Sequence, residues 1–333
     1  MGPLITLAPD DHVVVSHADV GVVICAYSVE RWTLLCEAVE SALAQDPSPR
    51  EVVIVIDHNP ALFDRARKRF GASALVVENA QAVGVSGARN TGVDRVGAQF
   101  VAFLDDDAVA GPGCFRGLLD AFDDPNVIGV DARIRPRWEG DAPTWFPAEF
   151  LWVVGCSYRG LPTRRAPVRN LIGAAMMFRR ATFLELGGFR ADLGRVRTTP
   201  LGCEETEFSI RATTRKPGSL LLHEPTAHAW HTVPGHRMTW RYFRQRCLAE
   251  GRSKAAMASM VGSGPALATE RSYVARTIPT GVIRSLGIGS TSTERRSVRR
   301  ALALVAGVLI TTAGYALQSY DTRKLAPREA QGN

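Results

Sequence analysis

Short apolar runs alternate with amphipathic stretches over the first hundred residues. VGVVICAY (Val20–Tyr27), EVVIVID (Glu51–Asp57), ALVVEN (74–79) and QFVAFLDDD (99–107) have strand length and β-rich composition. Their continuous apolar character predicts strands buried on both faces. Between the first two, Glu30–Gln45 places Leu34, Leu35, Ala38, Val39, Ala42 and Leu43 on one helical stripe, with Ser28 as its expected N-cap. ALFDRARKRF and the start of SGARNTGVDRV also read as helices. Strand and helix alternating through short links predict an α/β fold, an open, mostly parallel, Rossmann-like sheet flanked by helices.

Beyond residue 130 the pattern loosens. RPRWEGDAPTWFPAEFLWVVGCSYRGLP is rich in Trp, Pro and Gly and predicts long loops with short strands. NLIGAAMMFRRATFLELGGF predicts a turn, a strand and a short helix, TEFSIRATTR a helix, and Thr239–Val261 a longer helix bent at Gly251. The expected organisation is an N-terminal extension (1–19), a main domain (20–262) with a regular half (20–130) and a looser half (131–262), and a helical C-terminal extension (263–333).

Charge sharpens the last boundary. Arg271 to the end holds ten Lys/Arg and three Asp/Glu, while the first 270 residues carry thirty of each. The whole excess of +7 therefore belongs to the tail, which argues against a nucleic-acid-binding core. Within the tail, Ala301–Tyr320 is uncharged and lies between Arg295, Arg296, Arg299 and Arg300 on one side and Arg323 and Lys324 on the other. It is long enough to span a bilayer. Its Gly, Thr, Ser and Gln content and its basic residues on both flanks favour a peripheral or shallowly inserted helix, the alternative being a helix packed on the globular domain. Six scattered cysteines without a CxxC pair predict reduced thiols and a cytoplasmic setting. The first twenty residues lack the basic n-region of a secretory signal.

Four constellations carry candidate chemistry. In FVAFLDDDAVAGPG a buried strand runs directly into Asp105, Asp106 and Asp107. Adjacent carboxylates repel and are costly to desolvate, so the cluster is either an acidic helix cap or solvated turn, or, as its place at a buried strand's end favours, a site for a hard cation such as Mn2+ or Mg2+ together with substrate phosphates. Asp57 closes the second strand in the same manner, and ligands of open sheets bind outside the carboxyl ends of the strands; the two sites should share one cleft. In GVSGARNTGV, Gly87 permits close backbone approach, Arg89 reaches a phosphate or base edge and Asn90 bonds the turn, unless the segment is an ordinary loop-to-helix junction. GCEETEFSIR crowds Glu204, Glu205 and Glu207 at a helix start, where the dipole favours them and where one can serve as a general base. In HAWHTVPGHR, His231 is the expected metal ligand or phosphate contact.

Taken in order, VVICAYSVER, Asp57, GVSGARNTG, FLDDD, IGAAMMFRR with LGGF, and GCEETEFSIR followed by a histidine resemble the inverting glycosyltransferases of family 2, with the GT-A fold and of bacterial type. The resemblance covers roughly residues 20 to 260. It implies that 20–130 is the nucleotide-sugar half and 131–262 the acceptor and catalytic-base half. It implies that Ala26, Tyr27, Asp57, Gly87, Arg89, Asn90, Asp105 and Asp106 surround the nucleotide sugar. Asp107, with Asp105 and His231, would hold Mn2+ or Mg2+, and Glu205 falls at the position of the base. The family commonly has Glu-Asp where this chain has Glu-Glu, which leaves Glu204 as a rival. The implied reaction is a single in-line displacement from a nucleoside-diphosphate sugar, UDP-linked by family habit, to a saccharide or lipid-linked acceptor. Trp138–Trp152 and Gly173–Met177 would form the acceptor side, and no covalent nucleophile is required. The basic tail resembles those of members acting at the inner face of the cell membrane. Two alternatives stand beside this one: a degenerate domain that binds nucleotide sugar or glycan without turnover, and a nucleotidyltransferase. The second is disfavoured because the first strand leads to AYSVERW and lacks a Gly-rich phosphate loop. The missing GxGxxG after that strand disfavours a dinucleotide-dependent oxidoreductase in the same way.

Overall fold

A computed structural model describes residues 19–191, 204–261, 273–287 and 297–325. The apolar runs form β1 (Val20–Ala26), β2 (Glu51–Ile56), β3 (Leu75–Glu78) and β4 (Phe100–Asp105), separated by α1 (Trp32–Leu43), α2 (Pro60–Phe70) and α3 (Val85–Arg95). β1, β2 and β4 are almost wholly buried, as continuous apolar strands covered by helices on both faces must be. α1 buries Leu35, Ala38, Val39 and Ala42, the expected stripe. Its start differs from expectation: Ser28 precedes a 3-10 turn, Val29–Arg31, makes no capping bond and gives its hydroxyl to Glu30.

The chain continues through β5 (Ala108–Ala110), α4 (Cys114–Leu119), β6 (Val127–Trp138), β7 (Ala166–Pro167), β8 (Ala175–Arg179), α5 (Arg180–Glu185), α6 (Glu204–Arg215) and β9 (Leu220–Val233). Among the described residues one sheet runs in the order β3-β2-β1-β4-β8-β6-β9-β5, with β7 beside β9. The β3-β2-β1-β4 half is parallel. Beyond it β8 is antiparallel to both β4 and β6, and β6 and β9 are parallel. The sheet is thus more mixed than the sequence predicts, because strand-to-strand links after residue 105 are not all helical crossovers. Core residues occupy both faces of the sheet; on one, Phe103, Phe178, Phe183, Phe189 and Phe208 form a contiguous aromatic cluster.

Among the described residues three α-helices follow: α7 (Trp240–Val261), α8 (Ile278–Ser285) and α9 (Val298–Leu325). α7 runs through Gly251, whose purpose is close approach to α9: a Cβ there would lie 2.0 Å from the Thr311 carbonyl oxygen. Gly314 answers from α9, where a Cβ would lie 2.2 Å from the Leu248 carbonyl oxygen. Backbone cannot yield as a flexible side chain can. Gly314→Val is therefore expected to lower stability by about 1–3 kcal/mol, the usual cost of overpacking, read as a fall in thermal midpoint. α8 is tied down by Arg284, which binds the buried Glu149 carboxylate at 3.2 Å. The C-terminal extension is in this way packed onto the main domain.

α9 carries one stretch, Val298–Asp321, that is long and apolar enough to cross a membrane by length and composition. One side packs on α7. Leu302, Val305, Leu309, Leu317 and Tyr320 on the other side are exposed.

Candidate active site

β1, β2 and β4 stop at one edge, and the residues that follow them line a common cleft of about 590 Å³. Asp57 follows β2 directly. Its Oδ1 accepts from Asn79 Nδ2 at 2.7 Å and its Oδ2 from the Gly84 amide at 2.9 Å. The carboxylate is thereby fixed beside the start of α3, with the ring of His58 at 2.9 Å.

The three aspartates lie where β4 turns into β5. Pairing of Ala108 on β5 with His231 on β9 brings the imidazole to Asp107, with His231 Nε2 3.2 Å from Asp107 Oδ1. Its other nitrogen, Nδ1, faces Cys156 Sγ at 4.0 Å. Asp105, Asp107 and His231 each offer one ligand atom, and these atoms lie within 4.8 Å of one another. Two carboxylate oxygens and one imidazole nitrogen form a donor set suited to a divalent cation, the imidazole inclining it to Mn2+ over Mg2+.

Side chains from distant segments already offset much of the negative charge. Arg31 binds Asp106 at 3.0 Å and also contacts Asp107, and Arg237 stands 3.8 Å from Asp107. Burial pushes the Asp106 carboxyl up to about 8; Arg31 opposes the rise, and Asp107 and Asp105 add to it. Burial acts on Asp107 in the same direction, but His231, Arg31 and Arg237 outweigh it and hold that carboxyl well below the usual range. Asp106 Oδ2 is buried with no hydrogen-bond partner among the described residues, an acceptor that a hydroxyl of a bound molecule would satisfy.

Arg89 joins the aspartates to the glutamates. Buried on α3, it donates to Asp105 at 3.0 Å, Glu204 at 3.2 Å, Glu205 at 3.3 Å and the Gly173 carbonyl at 3.2 Å. Burial would lower its pKa, but these carboxylates outweigh that and keep it charged. Arg89 is expected to reach a phosphate or base edge; in this structure its two terminal nitrogens donate to four protein acceptors, which sets Asp105 and Glu205 relative to each other. Glu204 is buried and Glu205 partly exposed, and both line the cleft. Gly173 is needed where it stands, since a Cβ would fall 2.0 Å from Glu205 Oε1.

Burial and the Glu205 charge push Glu204 up to about 8, against the pull of Arg89. A carboxyl whose folded pKa lies above its ordinary 4.5 binds a proton that the unfolded chain releases. Its contribution to stability is full below about pH 4.5 and is lost as pH rises toward about 8. Glu204→Gln is expected to flatten the decline in unfolding free energy across that window, measured by denaturant titration at several pH values.

Of the residues singled out in the sequence, Ala26, Tyr27, Asp57, Arg89, Asp105, Asp106, Asp107, Glu204, Glu205 and His231 line the cleft. Gly87 and Asn90 lie outside that lining. Gly87 makes room for the Ala82 carbonyl, which a Cβ would meet at 2.1 Å, and the Asn90 side chain exchanges hydrogen bonds with the Phe189 backbone. Trp152 lines the cleft, while Trp145 packs among Phe146, Trp240 and Phe243. Arg31 and Arg237 were not singled out. Their relevance depends on pairing over long chain distances, and the only local hint was a basic residue soon after the first strand.

Fold and site together define a glycosyltransferase of the GT-A type. Residues 21–187 match the family model for glycosyl transferase family 2, and the chain belongs to that family. It is 35% identical over 241 residues to a glucosyl-dolichyl phosphate glucuronosyltransferase of Haloferax volcanii, covering 72% of this chain and 77% of the relative. A pre-mycofactocin glycosyltransferase of Mycobacterium tuberculosis is 28% identical over 261 residues, 75% of this chain and 52% of the relative. Among solved structures, the mannosyltransferase PcManGT from Pyrobaculum calidifontis, in complex with GDP-Man and Mn2+, superimposes with a TM-score of 0.53 at 17% identity, covering 88% of this chain and 86% of that one.

Proposed function

We propose that the protein moves a sugar from a nucleoside-diphosphate sugar, UDP-linked, to an acceptor hydroxyl by a single inverting displacement, in polysaccharide or glycoconjugate synthesis. The observation that carries this is the Arg89 bridge. It holds a metal-competent aspartate, Asp105, and a carboxylate able to act as a base, Glu205, on the same guanidinium at 3.0 and 3.3 Å.

In this reading Asp57, pinned by Asn79 and Gly84, binds the nucleotide base. Asp106 meets the ribose. Asp105, Asp107 and His231 hold Mn2+ or Mg2+, and the chemistry a divalent cation supplies here is neutralisation of charge on the departing diphosphate. Glu205 takes the proton from the acceptor hydroxyl as it attacks the anomeric carbon from the opposite face. Glu204 stays protonated near neutral pH and leaves the charge of Arg89 to its neighbours. The acceptor is a saccharide or a lipid-linked sugar, in keeping with the name of the H. volcanii relative. The exposed apolar side of α9 and its basic flanks support peripheral attachment at the cytoplasmic face of a membrane. Co-sedimentation with anionic but not neutral vesicles tests that attachment.

The test of the reaction is thermal unfolding with UDP, GDP or TDP, each with and without Mn2+, followed by a transfer assay that reads product anomer. A nucleotide at a hundred times its dissociation constant adds about 2.7 kcal/mol. One nucleotide, UDP, is expected to stabilise in a metal-dependent way, and its sugar conjugate to give inverted product. Binding without turnover would make the protein a degenerate binding domain.

A further inference from the structure

The cleft is walled partly by α9, through Val308, Thr311 and Tyr315, and partly by an irregular segment, residues 169–174, all of which line it. A helix satisfies most of its own backbone, whereas an irregular wall needs partners from outside. The Ala174 carbonyl accepts from the Asp105 amide at 3.1 Å, and the Gly173 carbonyl accepts from Arg89 Nη2 at 3.2 Å. These two partners belong to the site itself. The Ile172 amide donates to Asp131 Oδ2 at 2.7 Å, and Asp131 lies outside the lining.

Asp131 sits on β6, its register partner on β9 is His223, and both are buried. His223 Nδ1 lies 2.7 Å from Asp131 Oδ1, so the two carboxylate oxygens face two different nitrogens. Joining two strands does not call for such a pair, because well-packed apolar side chains do so as well or better. The adjacent register pair, Val130 with Leu222, is of that kind. What the carboxylate supplies, and an apolar side chain cannot, is an acceptor for the Ile172 amide. His223 fixes the direction of that acceptor. The next residue, Gly173, meets both Arg89 and Glu205: its carbonyl takes a donor of Arg89, and a Cβ on it would fall 2.0 Å from Glu205 Oε1.

We propose that Asp131, oriented by His223, is a positioning residue for the transfer reaction. By holding the Ile172 amide it sets the wall at 172–174 against Arg89, and through Arg89 the placement of Asp105 relative to Glu205. The proposal rests on the reaction read above. A misplacement of about 1 Å at reacting groups costs about a hundredfold in rate, so this anchor has leverage on kcat without touching a substrate.

Full-length protein with Mn2+ is assayed for UDP release from UDP-glucose, UDP-galactose, UDP-N-acetylglucosamine and UDP-glucuronic acid, with water as the acceptor, and the fastest donor is used for the variants. Asp131→Ala is expected to lower kcat by about a hundredfold, while the KM for that donor and the affinity for UDP with Mn2+ stay within about threefold. Asp131→Asn is expected to return kcat to within about threefold of wild type, since its oxygen accepts from Ile172 and its NH2 donates to His223 Nδ1 in the other imidazole tautomer. Amide exchange over residues 170–174 should be about tenfold faster in Asp131→Ala and near wild type in Asp131→Asn. A role in the fold alone would lower the thermal midpoint of Asp131→Ala and leave kcat of the folded protein unchanged, which would overturn the proposal. Equal losses of kcat in the Asn and Ala variants, or a loss of donor affinity with kcat intact, would overturn it too. Should Asp131→Ala not fold, His223→Leu takes its place, with kcat expected to fall about tenfold and His223→Asn, which keeps an N–H near the place of Nδ1, to restore it. Equal kcat in that pair would again overturn the proposal. Wild-type protein that binds UDP but releases it from none of the four sugars marks the separate failure of the transfer reading, and the positioning role falls with it.

Discussion

Glu205→Gln is expected to lower kcat by about a thousandfold, within the range for loss of a general base, while UDP and Mn2+ affinity stays nearly unchanged. The substitution conserves volume and leaves an oxygen at the position that accepts from Arg89 at 3.3 Å, so the bridge between the two carboxylate groups survives. What is lost is the ability to take a proton. The neighbouring Glu204 cannot replace it: that side chain is buried, and its pKa of about 8 keeps it largely protonated at neutral pH. Glu204→Gln should therefore preserve most of kcat. Single-turnover kinetics of the two variants decide between the residues, and the reverse ranking would make Glu204 the base.

Asp107→Asn is expected to abolish the metal-dependent part of nucleotide binding. Asp107 is the best-compensated member of the acidic cluster, facing His231, Arg31 and Arg237 together, and it is ionised throughout the physiological range. Outer-sphere partners of a metal already cost about 10–100-fold in affinity when removed, and a direct ligand should cost at least as much. Asn retains the shape and can still accept from Arg31, so the apo protein should keep most of its thermal midpoint. Asp107→Ala, by contrast, leaves Arg31 with less of its partner and should lower the midpoint as well. A manganese titration of thermal shift with saturating UDP reads both effects; an unchanged response in Asp107→Asn would remove that residue from the metal site.

The elements that later hold the site were legible because their signals are local. Continuous runs such as EVVIVI announce strands covered on both faces, and a carboxylate immediately after such a run sits at the sheet edge whatever follows. Asp57 and Asp105 to Asp107 could therefore be placed in one cleft from spacing alone. GVSGARNTGV was less transparent. A glycine required by a neighbouring carbonyl and a glycine required by a ligand look identical in one dimension, and only the fold shows the Ala82 carbonyl against Gly87. The role of Arg89 was hidden for a related reason: its four acceptors lie on three segments distant in the chain.

By itself the sequence determined the strand and helix alternation, the two carboxylate sites at strand ends, the acidic start of α6, and a resemblance to the family that the chain belongs to. These follow from periodicity and short-range order, which a linear chain carries directly. Tertiary structure decided which charges meet. Pairing of β5 with β9 delivered His231 to Asp107, and packing of α1, α3 and α6 around the sheet edge brought Arg31 and Arg89 to their carboxylates. It also made the C-terminal helix a wall of the cleft, through the contacts of Gly251 and Gly314. Electrostatic and backbone contacts at three ångströms depend on where remote segments are folded, and composition along the chain has no means of recording that distance.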